Sequence, residues 1–303
     1  MTDIGLSERE RLLRLLAARR DKERGPETQP PAARSRPVEG GALRDPWKEQ
    51  LRTFYDGITD QLGATNFGDM SFFLNLGYKA NYNPQRGVIE LPARMLNRNS
   101  VKLVVETIGD QDLTGATVVD VGCGRGGTAW TLYRYFGVAS VIGMDLSAGA
   151  AAFCRRVHAF DGAHFLAADA ERLPFKPECC DAVTNIESAC DYPNRPRFYE
   201  EVCRILKPGG VFLYADVFMA GHKPDVCYDF FEAAGLIIER HVDITSNVLA
   251  SCLDVSNRRL DAFAGTGNGK QMKDFMSAPG SVAFKAFEER TATFDIFRVR
   301  KPR

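Results

Sequence analysis

The chain has no net charge: 39 lysines and arginines stand against 39 aspartates and glutamates in 303 residues. A balanced surface carries no global field, so neither nucleic acid nor anionic lipid is expected as a partner. No run reaches the roughly eighteen apolar residues of a membrane span, and the charged N-terminal stretch has no apolar core of a signal peptide. The eight cysteines, at 123, 154, 179, 180, 190, 203, 227 and 252, include no C-x-x-C pair, and with only four histidines they form no zinc spacing. Several of them fall in apolar runs, where a thiol serves as a small buried hydrophobe. These absences predict a cytoplasmic protein with reduced cysteines, no metal and no membrane span.

What the chain does have is a glycine-rich turn between a strand pattern and a helix pattern. Val118-Val-Asp-Val-Gly-Cys-Gly-Arg-Gly-Gly127 runs into Thr128-Ala-Trp-Thr-Leu-Tyr-Arg-Tyr-Phe136. Glycines at 122, 124 and 126 or 127 remove the Cβ atoms that would hold a ligand off the backbone. The first helical turn then offers unpaired N–H groups. Gly122, Gly124 and Gly127 also satisfy G-x-G-x-x-G, so the turn by itself fits a dinucleotide. The neighbouring acids separate the readings. Asp120 precedes the turn, where a carboxylate suits a ligand ammonium and repels a pyrophosphate. Asp145 ends Ser140-Val-Ile-Gly-Met144 ahead of Leu146-Ser147, placed to accept from ribose hydroxyls of either cofactor. Asp169-Ala170 ends Ala163-His-Phe-Leu-Ala-Ala168, where an adenine amino group can be bound. Acids after successive strands favour S-adenosylmethionine, which carries an α-amino group. A nicotinamide enzyme would need hydride-transfer groups after the fourth strand, and the sequence has none there.

With these residues in view, the chain resembles the class I S-adenosylmethionine-dependent methyltransferases, in particular those acting on polyketide and lipid natural products. Asp120-Val-Gly-Cys-Gly-Arg-Gly matches the first motif, Gly143-Met-Asp-Leu-Ser the second-strand acid, and Ala168-Asp-Ala-Glu-Arg-Leu-Pro-Phe175 the adenine motif. Asp181-Ala-Val-Thr-Asn-Ile-Glu-Ser188 resembles the fourth strand and its loop, and Arg204-Ile-Leu-Lys-Pro-Gly-Gly-Val-Phe-Leu213 the turn into the fifth. The resemblance implies a Rossmann-like α/β fold. Its sheet has seven strands, mostly parallel, with an antiparallel last strand at the edge, helices on both faces and an N-terminal helical lid. It implies a cofactor site of Tyr78, Asp120, Gly122, Cys123, Gly124, Asp145, Leu146, Asp169, Ala170 and Asn185. Tyr78 enters through Asn75-Leu-Gly-Tyr78, an element that in this family lies near the methionine moiety.

The acceptor is expected at Asn185-Ile-Glu-Ser-Ala-Cys-Asp-Tyr-Pro193, beyond the carboxyl end of the fourth strand. The family pattern there is Asn-Val-Glu-Ser-Ser-His, whose histidine is a general base in some members. This chain has Cys190 instead. A histidine of pKa about 6.5 takes a hydroxyl proton near neutrality, whereas a thiol near 8.5 stays mostly protonated. The remaining candidate bases are Glu187, Asp191 and His222, of which Glu187 matches the family best. His158, His164 and His241 fall in helix or strand patterns and read as structural, and Asp216 either orients a base or caps a loop.

Residues 1–20 read as a short helix, opened by the capping box Ser7-Glu-Arg-Glu10, and 21–44 as a linker rich in proline and glycine. Residues 45–110 read as the lid and substrate region, and 111–303 as the core. A tethered helix resembles the terminal segments of polyketide and peptide assembly-line proteins, which implies an acyl or peptidyl carrier protein as partner; a solvated tail is the alternative. Phe67, Phe72, Phe73, Tyr192, Phe218 and Met219 read as the lining of an apolar acceptor cavity, with packing in the core as the alternative for most of them. The expected function is O-methylation of a hydroxyl or enol on a polyketide-like or lipid-like acceptor. Carbon or nitrogen methylation, or a non-catalytic cofactor-binding assembly partner, are the alternatives.

Overall fold

The computed structural model describes residues 45–64, 68–80, 89, 91–92, 94–219, 224–262 and 273–303, the side chains of 255–262 excepted. The expected N-terminal helix and linker, Phe67 and His222 lie outside these residues. The first helix, α1 (Pro46–Gly63), starts where the sequence directs: the Asp45 carboxylate accepts from the Trp47 N–H at 2.9 Å, and Pro46, which has no N–H to satisfy, takes the first helical position. Helix α2 (Arg98–Ile108) follows and buries Val101, Leu103, Val104 and Ile108.

The sheet contains β1 (Thr117–Val121), β2 (Ser140–Asp145), β3 (Ala163–Ala167), β4 (Cys180–Ile186), β5 (Leu206–Met219), β6 (Ile237–Asp243) and β7 (Ala292–Arg300). Their order is β3-β2-β1-β4-β5-β7-β6. Strands β1 to β5 are parallel neighbours, and β7 runs antiparallel to both β5 and β6. The last strand is antiparallel, as the resemblance implies, but it lies one place in from the edge, which β6 occupies. Full pairing on both sides suits its sequence: Phe294, Ile296, Phe297 and Val299 are all fully buried.

Alternate residues along each strand enter opposite layers. On β1 and β5, Val118, Leu213 and Ala215 join one apolar cluster, and Val119, Phe212 and Tyr214 the other. The first layer is completed by α2, α3 (Gly127–Tyr135), α4 (Ala148–Val157), α7 (Thr245–Ala262) and α8 (Val282–Glu288). The second is completed by α5 (Arg195–Ile205) and α6 (Val226–Ala233). Aromatic rings dominate that second layer, where Phe297 stacks on Tyr214 at 6.0 Å and meets Phe231 edge-on at 5.6 Å. Truncating such a ring to alanine costs roughly 3–5 kcal/mol. The outcome is a rigid sheet whose β1 to β5 carboxyl ends open on one side, the place where open α/β sheets bind ligands.

Candidate functional site

The glycine turn after β1 is folded back onto β2: the N–H groups of Gly122 and Cys123 both donate to the Met144 carbonyl, at 2.8 and 2.9 Å. Gly122 and Gly124 sit in the left-handed region, at φ of 70° and 51°, which side chains with a Cβ rarely occupy. A Cβ at Gly122 would also run into the Ser188 and Tyr192 hydroxyls, so glycine is required twice over. Asp145 braces the turn, accepting from the Gly124 N–H at 2.8 Å on one oxygen and from the Ser147 N–H at 2.9 Å on the other. Each oxygen keeps a lone pair for a further donor. Burial raises the Asp145 pKa from its ordinary value.

Asp120 lies beneath the turn and is 1 % exposed. One oxygen accepts from the Thr184 hydroxyl at 2.7 Å, while the other is buried with no partner. Burial pushes its pKa up to about 7. A cation held nearby would stabilise a carboxylate left half-satisfied in this way. Asp169, after β3, accepts from the Glu171 N–H at 2.9 Å and from the Lys48 ammonium at 2.7 Å.

The glycine turn, Asp145 and Asp169 border a cavity of about 320 Å3. Its volume is at the low end of the range usual for small-molecule sites, roughly 300–1,000 Å3. Helix α1 forms one wall and is fastened at several points. Lys48 also pairs with Glu171 at 2.5 Å, the Trp47 indole donates to the Asp191 carbonyl at 3.1 Å, the Tyr55 hydroxyl to the Asp191 carboxylate at 2.6 Å, and the Ser147 hydroxyl to Asp56. Arg125, from the glycine turn, fastens the same wall from below. Its guanidinium, 3.6 Å from the centroid of the Phe153 ring, donates to the carbonyls of Ser71 (2.7 Å), Thr59 (3.0 Å) and Gly68 (2.6 Å).

Across the cavity is the loop after β4. Glu187 holds a left-handed backbone, φ 55°, and its carboxylate accepts from the Leu76 N–H at 2.8 Å. Cys190 stands at the cavity edge, and burial together with Asp216 and Asp191 raises its thiol well above the ordinary range. It remains a neutral thiol near neutrality. Asp216 accepts from the Cys190 N–H at 2.7 Å, from the Tyr214 hydroxyl at 3.0 Å and from the Val217 N–H at 2.8 Å. Its role is to hold the loop onto β5.

Of the residues expected from sequence, Gly122, Cys123, Gly124, Asp145, Leu146, Asp169, Ala170, Glu187 and Asp191 line this one cavity. Three others do not. Asp120 is sealed beneath the turn. Asn185 is fully buried and spends its amide on the Val121 carbonyl (2.9 Å), the Tyr192 hydroxyl (3.1 Å) and the Ala189 N–H (3.3 Å), which makes it a brace for the loop. Tyr78 packs against the core, with its N–H on the Asn99 carbonyl at 2.8 Å. His222 lies outside the described residues. Among the residues expected to line the acceptor cavity, Phe72, Phe73, Tyr192 and Met219 do so, whereas Phe218 is 2 % exposed and packs into the second layer. Sequence reading missed Lys48, Phe54, Tyr55, Arg125, Arg195 and Phe275, all of which line it. The spacing of Leu51, Phe54, Tyr55 and Ile58 marks an apolar face on α1 but does not say what that face covers.

A mostly parallel sheet carrying a glycine turn and acids after three successive strands defines an α/β enzyme for an adenosine-bearing cofactor. Residues 119–214 match the family described as "Methyltransferase domain". The chain is 43 % identical over 144 residues to a fatty-acid O-methyltransferase of Mycolicibacterium smegmatis, a match covering 48 % of this chain and about half, 52 %, of that protein. It is 35 % identical over 223 residues to a probable phthiotriol/phenolphthiotriol dimycocerosates methyltransferase of Mycobacterium ulcerans, covering 71 % of this chain and 80 % of that one. Among solved structures, geranyl diphosphate C-methyltransferase from Streptomyces coelicolor, in complex with S-adenosyl-L-homocysteine, superposes with a TM-score of 0.62 at 19 % identity, over 86 % of this chain and 100 % of the other. A [4+2]-cyclase superposes with a TM-score of 0.63 at 20 % identity, over 84 % and 96 %. Those structures share the fold. The chain belongs to the class I S-adenosylmethionine-dependent methyltransferases, and S-adenosylmethionine is its cofactor.

Proposed function

We propose that this protein transfers the methyl group of S-adenosylmethionine to an oxygen atom of a lipid-like acceptor. The observation that carries the proposal is one cavity in which the braced glycine turn, Asp145 and Asp169 face an apolar wall of Leu51, Phe54, Phe72 and Phe73, with the loop 187–193 between them. Relatives named for fatty-acid O-methylation and for methylation of phthiotriol and phenolphthiotriol lipids support an acceptor of that class.

The glycine cradle and the unpartnered oxygen of Asp120 fit the cofactor. In this reading Asp145 takes the ribose hydroxyls, Asp169 the adenine amino group, and the Asp120 carboxylate balances the α-ammonium group from beneath the turn. When bound, S-adenosylmethionine supplies an electrophilic methyl group on a sulfonium. The chain has to place the acceptor oxygen in line with it and exclude water, and positioning of that kind contributes on the order of 7–11 kcal/mol to lowering a barrier. Helix α1, fastened through Lys48, Tyr55 and Arg125, excludes water from the cofactor side.

Delivery of the acceptor on an acyl or peptidyl carrier protein belongs to the same proposal and rests on the composition of residues 1–44. A cytoplasmic site rests on the eight cysteines, all of them free thiols. No helix of the described residues is long and apolar enough to cross a membrane. The test is incubation of the protein with methyl-labelled S-adenosylmethionine and a panel of hydroxylated, enolic and acidic lipids. Label recovered as a methyl ether or methyl ester is the expected result. Label found on carbon or nitrogen, or none at all, would remove the proposal.

A further inference from the structure

Two arginines bordering the cavity are buried, and they are treated in opposite ways. Arg125 is 1 % exposed and gives its guanidinium to three backbone carbonyls. Arg195 is 8 % exposed, opens α5 directly behind the loop 187–193, and lines the cavity. Among the described residues its side chain makes no hydrogen bond and no ion pair. A guanidinium presents five N–H donors in a rigid fork, and no Arg195 nitrogen is among the fully buried atoms that lack a partner, so the fork stays open to an acceptor.

The acids nearby do not serve. Asp216 is fully buried with both oxygens committed to Cys190, Tyr214 and Val217, and it forms no ion pair with Arg195. Asp191 accepts from Tyr55, and Glu187 from Leu76. Burial by itself would lower the Arg195 pKa, but Tyr214, Tyr199, Cys227 and Asp216 more than offset it, so the group stays cationic. Position separates this cation from the adenosine end. The acids assigned to the cofactor's ribose and adenine follow β2 and β3, whereas Arg195 comes after β4 and faces groups of β5, on the far side of the sheet order.

We propose that Arg195 binds the carboxylate of the acceptor, so that the acceptor is a carboxylic acid with an apolar chain and the product is its methyl ester. This inference rests on the oxygen-methylation reading above and narrows it. An Arg–carboxylate pair is charge-assisted and geometrically matched. It leaves one carboxylate oxygen on the guanidinium and the other free to react. That oxygen takes the methyl group, the electron pair of the broken carbon–sulfur bond stays on sulfur, and no proton is released, because a carboxylic acid is already ionised at neutral pH. The chemistry therefore needs no general base, which accounts for Cys190 at the position where the family resemblance implies a histidine. The ester is uncharged and no longer matches Arg195, so the charge that recruits the substrate does not retain the product. Phe72, Phe73, Met219 and Phe275 supply apolar surface for the chain.

The experiment uses the full chain and compares lauric acid with lauryl alcohol. In calorimetric titrations the wild-type protein is expected to bind the acid at least about ten-fold more tightly than the alcohol, and turnover is expected to give methyl laurate. Arg195→Met is expected to raise Kd and KM for lauric acid by roughly 30-fold or more, the usual loss when one partner of a buried charge pair is truncated. Arg195→Lys should fall between. Affinity for S-adenosylmethionine should stay within about two-fold in both variants, a split that a purely structural arginine would not give. Equal binding of acid and alcohol by the wild type overturns the proposal, as does an Arg195→Met variant that loses cofactor and acid affinity together. If that variant does not fold, the wild-type comparison decides. Methylation of lauryl alcohol but not of lauric acid keeps the oxygen-methylation reading and removes this one. A wild-type protein that binds no S-adenosylmethionine removes both.

Discussion

Glu187 accepts a 2.8 Å hydrogen bond from the backbone N–H of Leu76, 111 residues before it, and so ties the loop after β4 to the Asn75-Leu-Gly-Tyr78 segment. It does so from a left-handed backbone, φ 55°. Two substitutions separate the bond from the strain. Glu187→Ala loses the bond and keeps the strain, while Glu187→Gly loses the bond and relieves it. The glycine variant should therefore be more stable than the alanine variant by about 1 kcal/mol. Urea denaturation measures the difference, and amide exchange at Leu76 should accelerate in both; equal stabilities would count against the backbone geometry.

Lys48 bridges α1 to Asp169 and Glu171, at 2.7 and 2.5 Å. Asp169 is the group assigned to the adenine, so the ion pair ties α1 to that end of the proposed site. Lys48→Met should speed both association and dissociation of S-adenosylmethionine by about five-fold each, which corresponds to about 1 kcal/mol for a partly exposed pair. Stopped-flow fluorescence suits the measurement, because Trp47 on α1 also contacts the Asp191 carbonyl. Unchanged rates would show that α1 does not gate the site.

Arg125 joins the glycine turn to the carbonyls of Thr59, Gly68 and Ser71. An ammonium group cannot reproduce that fork, and its shorter reach leaves buried carbonyls unmatched. Arg125→Lys should cost about 3 kcal/mol and lower the thermal midpoint by roughly 5–10 °C in a protein of this size. Cofactor affinity should fall with it, since the same residue positions the turn. A midpoint within a degree of wild type would contradict this.

The pH dependence follows from Asp120, whose pKa is raised by burial from 3.8 to about 7. The folded protein therefore binds a proton that the unfolded chain has already lost between about pH 4 and pH 7. Stability from this group is complete below about pH 4 and is lost as the pH rises to about 7. In the cofactor-free protein, Asp120→Asn removes the penalty and keeps an acceptor for Thr184. It should raise the thermal midpoint at pH 7.5 by about 5 °C and change it little at pH 4. An equal shift at both pH values would mean that ionisation of Asp120 is not the cause.

The sequence by itself determined the parallel strands and the acids that follow them. Strands β1 to β4 are short apolar runs that end at or beside an acid or a glycine turn, and Asp145 and Asp169 are local to the strands that present them, so period and punctuation were enough. Asp120 was legible as an acid, but not as one sealed beneath the turn, because its surroundings come from Thr184 on a neighbouring strand. Tertiary structure alone decided the rest. It placed β7 between β5 and β6, turned Tyr78 and Asn185 into supports, and moved Phe218 into the core. It also brought Lys48 and Tyr55 against residues more than a hundred positions away, and left the Arg195 side chain without a hydrogen bond or ion pair among the described residues. Those outcomes depend on which surfaces meet when the layers close, and a local pattern carries no record of what lies opposite it.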